Sequence, residues 1–217
     1  MASYLSFVAW TALLLMLVAL GCDVSSGPGE RRASLLALFG QLDGGDVYER
    51  TRARGALVEV GSAAVPGLRE RLAAVEAGLR FQAVAALVEI RPLPLEVLAE
   101  AAASPHPRVR ATSLRALVVA GPDALEAFQP ALAAPDHNVR EDAAEALGLM
   151  GAAALPSLDV LLRDPDRRVR RTAVRALGEV GDPARARLEE IAATATGGVR
   201  REAEQRLEAL DGRPGRS

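Results

Sequence analysis

The chain has 217 residues, 26 basic and 28 acidic side chains, a formal net charge of −2 and 50% hydrophobic residues. That balance excludes a disordered charged tail, and nothing in it calls for nucleic acid as a partner. Every basic residue is arginine, which excludes lysine chemistry such as a Schiff base, and the single cysteine, Cys22, excludes an intramolecular disulfide or a cysteine-built zinc site.

The first predicted element is the N-terminal segment. Tyr4 to Gly21 carries no charged residue and includes the run Ala12 to Leu20, after which Asp23 to Glu30 is polar. An apolar core closed by a small residue is the design of an export signal. Ala19-Leu20-Gly21-Cys22 resembles the lipobox of bacterial lipoproteins. The resemblance implies that residues 1–21 are a signal peptide, that Cys22 is acylated and begins the mature chain, and that residues 22–30 form a flexible tether. Buried acyl methylenes, at about 0.8 kcal/mol each, would then hold the protein on a membrane. An uncleaved signal anchor is the alternative, since the apolar stretch is just long enough to span a bilayer. A cytoplasmic location is the third reading. The first two place the rest of the chain in the bacterial cell envelope, on a periplasmic or outer face.

From residue 31 onward the sequence repeats itself. Arg50, Arg80, Arg110, Arg140, Arg170 and Arg200 recur every thirty residues, followed seven places later by Leu57, Leu87, Leu117, Leu147, Leu177 and Leu207. Small residues stand between them at Ala53, Ala83, Ser113, Ala143, Ala173 and Ala203. A fixed period of this length is the mark of a stacked repeat array, and aromatics at 3% with abundant Ala and Leu suit closely packed helices.

In chain order, residues 31–42 (Leu35, Leu38, Leu42) read as a lone helix capping the front. First helices of each unit are predicted near 46–60, 75–90, 105–120, 135–150, 165–180 and 195–210. Second helices are predicted near 63–74, 93–103, 123–133, 153–163 and 183–193, marked by Leu68, Leu98, Phe128, Leu158 and Leu188. Asp164 with Pro165, and Asp182 with Pro183, read as helix starts. Gly61, Gly121, Gly151 and Gly181 read as helix ends, with Arg91 and Asp211 at the equivalent places in the other two copies. The last helix reads as the rear cap, its outer face enriched in Glu202, Glu204, Gln205, Arg206 and Glu208, and residues 212–217 as a disordered tail.

The pattern Asp-x-x-Val-Arg-x-x-Ala-x-x-Ala-Leu-x-x-hydrophobic-Gly, whole at residues 166–181, resembles a HEAT repeat, and more narrowly the short HEAT-like class of phycobilin lyases. The resemblance covers residues 31–211. It implies an all-α solenoid of five helix pairs between half-repeat caps, with second helices on the concave side. It also implies that the six arginines form a structural ladder. Residue chemistry supports that role: a guanidinium beside the core can lay its stem on apolar surface and bond turn carbonyls or a neighbouring acid. Asp46, Glu76, Asp136 and Asp166, four residues before the ladder, are the expected partners. A separate basic cluster, Arg163, Arg167, Arg168, Arg170, Arg171 and Arg175, reads as a solvated face or a contact for anionic lipid or an acidic partner.

On the concave side the solvent stripe gathers Glu70, Glu96, Glu100, Glu126 and Glu190, with Pro66, Pro130 and Pro156 between and Arg69, Gln129, Asp159 and Glu189 beside them. Like charges along one face focus a negative potential that favours a basic partner segment. His106 and His137 fall in turns, and no catalytic triad, metal-ligand spacing or phosphate loop emerges. No catalytic residue, metal or cofactor is therefore assigned. The expected function is a membrane-tethered scaffold that docks a protein or peptide, with a bilin lyase-like enzyme or a purely structural envelope component as alternatives.

Overall fold

The computed structural model describes residues 28–212, so Cys22, the segment 1–27 and residues 213–217 lie outside the description. The described residues form an all-α solenoid. α1 (Pro28–Gly44) leads, and the first helices of the successive units are α2 (Val47–Val60), α4 (Ala77–Glu89), α6 (Pro107–Ala120), α8 (His137–Gly148), α10 (Arg167–Val180) and α12 (Gly197–Asp211). Between them lie the second helices α3 (Val65–Arg71), α5 (Leu95–Ala102), α7 (Gln129–Leu132), α9 (Leu155–Leu161) and α11 (Arg185–Thr194). Among the described residues no helix is long and apolar enough to cross a membrane.

The period places the core. Ala53, Leu57, Ala83, Leu87, Leu117, Ala143, Leu147, Ala173 and Leu177 are fully buried, as are Leu68, Leu98, Phe128, Leu158 and Leu188 from the second helices. Packing passes between neighbours in the stack: α2 on α4, α4 on α6, α6 on α8, α8 on α10 and α10 on α12. Each buried leucine side chain contributes about 1.5–3 kcal/mol, and none of the helices could hide its stripe alone.

Several predicted boundaries move, each for a local reason. α1 is helical at Pro28, so the last three residues assigned to the tether belong to the front helix. Four second helices open with a tighter turn of 3₁₀ type, Gly61–Ala64, Pro122–Phe128, Gly151–Ala154 and Asp182–Ala184, before an α-helical piece. Each such turn begins at or just after a glycine with positive φ, as at Gly61 (φ 71°) and Gly181 (φ 83°), a conformation that side-chain-bearing residues avoid. The copy without that glycine leaves differently: α4 stops at Glu89, and the buried Ile90 is extended (ψ 141°) ahead of Arg91-Pro92. Asp211, read as a terminator, is the last residue inside α12.

One first-helix contact depends on a missing side chain. A Cβ on Gly148 would lie 3.0 Å from both Cα and Cβ of Ala176 and 3.1 Å from its carbonyl oxygen. Backbone cannot swing aside as a side chain can. Gly148→Ala is therefore expected to destabilise the array by about 1–2 kcal/mol, overpacking outweighing the gain in helix propensity. A drop of a few degrees in the thermal midpoint followed by circular dichroism would show it; an unchanged or raised midpoint would refute it.

Candidate docking surfaces

The arginine ladder runs along the turns. The Nη1 groups of Arg80, Arg110, Arg140 and Arg170 donate to the carbonyls of Ala74 (2.5 Å), Ser104 (2.8 Å), Ala134 (2.7 Å) and Asp164 (2.6 Å), each six residues earlier. These carbonyls lie in the turn two or three residues past the end of the preceding second helix, outside any helical ladder, and positive charge there suits the helix dipole. Arg50 instead donates to Glu76 at 2.7 Å, and Arg200 to Glu204 at 2.8 Å within its own helix.

The acids four residues before the ladder do other work than expected. Asp46, Asp136 and Asp166 cap α2, α8 and α10 by accepting the amides of Glu49, Asn138 and Arg168. The Asn138 backbone and side-chain donors hold the Asp136 carboxyl below its ordinary value. The ladder's acids come from other elements: Asp142 accepts from Arg110 at 2.5 Å, and Asp164 from Arg140 at 2.7 and 3.0 Å. Asp164 is thus no cap, because its carboxylate is buried under Arg140 and also accepts the Asp166 amide at 2.8 Å. Burial pushes its carboxyl upward, but the Arg140 bonds and that amide outweigh it, and the net direction is down.

The second-helix carboxylates stand in two rows. Glu96 and Glu126 share one register with Pro66 and Pro156; Glu70, Glu100 and Glu190 share the next turn with Pro130 and Val160. All five carboxylates are exposed. The stripe is less uniformly negative than its sequence suggests, because Arg69 pairs with Glu100 and Arg187 reaches Asp159 (2.8 Å) and Glu190 (3.4 Å). Glu70, Glu96 and Glu126 carry no ion pair among the described residues. They form the uncompensated front part of the face.

The basic cluster of α10 is largely neutralised. Arg175 pairs with Glu145, Arg171 with Glu202 (3.5 Å), Arg168 with Glu141 (3.8 Å), and Arg170 is spent on turn carbonyls. Glu202, read as outward-facing on the rear cap, is instead buried beneath Arg206, which bonds it at 2.7 Å. His137 sits 3.9 Å from both Asp136 and Asp166 at the edge of the stack. Among the described residues no three His, Cys, Asp or Glu side chains gather as a metal site.

Sequence reasoning missed the opposite face. Two open grooves of about 550 Å³ each indent the first helices. One spans α6, α8 and α10, with Leu114, Val118, Ala146, Leu149 and Ala176 among its walls; the other lies between the end of α4 and α6, against Val88, Leu93, Ala116 and Val119. Ala116, Ala146 and Ala176 share one repeat register, and their short side chains leave the depressions open. The alanine that fills this register in five copies, from Ala56 and Ala86 onward, was the available signal in the sequence. Arg115 lines both grooves.

A family model for HEAT repeats matches residues 95–158 and 125–208. Among solved structures, the chain is similar to computationally designed armadillo repeat proteins for modular peptide recognition (19% identity, 81% of this chain, 99% of that one, TM-score 0.42). It is also similar to the complex of CpcE and CpcF of phycocyanin lyase from Nostoc sp. PCC7120 (23% identity, 87% and 80%, TM-score 0.41) and to human deoxyhypusine hydroxylase in complex with glycerol (19% identity, 94% and 99%, TM-score 0.40). No curated protein matches the chain.

Proposed function

We propose that this chain, which belongs to the HEAT-repeat family, is a scaffold that docks a basic segment of another protein on its second-helix face. The observation that carries the reading is the set of three exposed, uncompensated carboxylates, Glu70, Glu96 and Glu126, on three successive second helices. Glu96 and Glu126 share one register and Glu70 stands one turn further along its own helix, so an extended basic segment could meet one after another along the face. Each contact is weak in water, but a row of them steers association and fixes register.

The scaffold acts at a membrane in this reading. The apolar run before Cys22, outside the described residues, supports lipid attachment at that cysteine, with the array held at the envelope surface. Mass spectrometry of the mature protein would show an acylated N-terminal cysteine; an intact N-terminus starting at Met1 would exclude cleavage and leave the uncleaved anchor and the cytoplasmic location as the readings.

The docking claim is tested by fluorescence anisotropy with an arginine-rich peptide and the full chain in lipid nanodiscs. Reversing Glu70, Glu96 and Glu126 together to Arg is expected to weaken binding by at least about tenfold and to flatten its salt dependence. Equal binding by the folded triple variant would overturn the assignment.

A further inference from the structure

The first-helix face presents features that the fold does not require. Val119 is 85% exposed and Leu149 is 67% exposed, at the same register of consecutive first helices and beside the two grooves. Side chains so placed contribute little to the core, and they extend the apolar walls of the grooves outward. Arg110 holds Asp142 and Arg175 holds Glu145, while Glu179, on α10 and so two first helices away from Arg115, is the one lining carboxylate without an ion pair among the described residues. Arg115 differs. It shares its register with Glu145 and Arg175, but Glu145 pairs with Arg175, and no ion pair or hydrogen bond holds Arg115 among the described residues. Among the arginines that line the two grooves, Arg91 bonds turn carbonyls and Arg175 holds Glu145, so Arg115 is the uncommitted one, and it stands where the grooves meet.

We infer that the grooves on either side of Arg115 form a second docking site, for a partner-protein segment carrying a carboxylate between two apolar side chains. The apolar groups fill the depressions over Ala116 and over Ala146 and Ala176, and the carboxylate takes the guanidinium in a paired hydrogen bond. Charge selects this occupant. A basic segment would place like charge against Arg115, and a neutral one would bury part of its hydration without replacement. This site lies on the first helices and so differs in place and in charge preference from the acidic second-helix face.

The test is selection from a displayed random-peptide library on the full chain in nanodiscs, repeated on Arg115→Gln, on Val119→Ser with Leu149→Ser, and on the Glu70, Glu96 and Glu126 to Arg triple. All substituted residues are exposed, so circular dichroism should show each variant folded. On the native chain, enriched peptides should carry Asp or Glu between apolar residues. Arg115→Gln should lower their affinity by about tenfold and erase the acid from the selected pattern. The serine pair should weaken them without changing the preferred charge, and the triple reversal should leave them bound. Enrichment of no acidic pattern, or the same pattern on Arg115→Gln, would overturn the site. So would a dimer in sedimentation velocity that the serine pair dissolves, since the face would then belong to a second copy. Loss of arginine-peptide binding in the triple with the acidic peptides retained separates this site from the other face.

Discussion

Arg140→Met is expected to destabilise the array by about 3–5 kcal/mol. The substitution keeps the apolar stem and removes the guanidinium. Asp164, with only 5% of its side chain exposed, then loses both bonds from Arg140 and keeps the Asp166 amide alone. The carbonyls of Ala134 and Pro135 lose their donor as well. A charge left unpaired in that position costs far more than the intact pair contributes. The effect should depend on pH in a fixed direction. In the native chain the Asp164 carboxyl lies below its ordinary value. Its contribution is therefore complete above the unfolded value of about 3.9 and fades as pH falls through the lower folded value. The gap between native and variant stability should accordingly be widest near neutrality and narrow below about pH 4, where a neutral acid no longer needs the guanidinium. Urea unfolding at several pH values measures this; a gap of under about 1 kcal/mol at neutral pH would show the pair to be dispensable.

Phe128→Ala is expected to cost about 3–5 kcal/mol. Phe128 is the largest fully buried side chain and stands where the other copies carry leucine. Truncation leaves a cavity between α6, α7 and the neighbouring repeats that the helices can close only in part. Phe128→Leu restores the residue of the other copies and should cost about 1 kcal/mol. Because neighbouring units support one another in such a stack, hydrogen exchange in Phe128→Ala should quicken first in α5 to α8 and least in α12. Uniform acceleration along the chain would argue for a single cooperative core instead.

The thirty-residue period by itself determined the helical architecture, the order of first and second helices and nearly every core position. Burial along a helix depends on local spacing, and local spacing is written in the chain: Leu57, Leu87, Leu117, Leu147 and Leu177 could only lie on one stripe, and all are fully buried. The candidate carboxylates were legible on the same ground, since residues in one register share one face, and the five glutamates are exposed. What each charge meets was not. Arg110 takes Asp142, Arg140 takes Asp164, and Arg80 and Arg170 take turn carbonyls. The acids expected to serve them cap helices or, as Glu76 does, pair with a ladder arginine of the preceding unit. Those outcomes turn on separations between side chains of different units, which a repeat length does not encode. The grooves around Arg115 have the same origin: three alanines on three helices make an indentation only once stacking has brought them side by side.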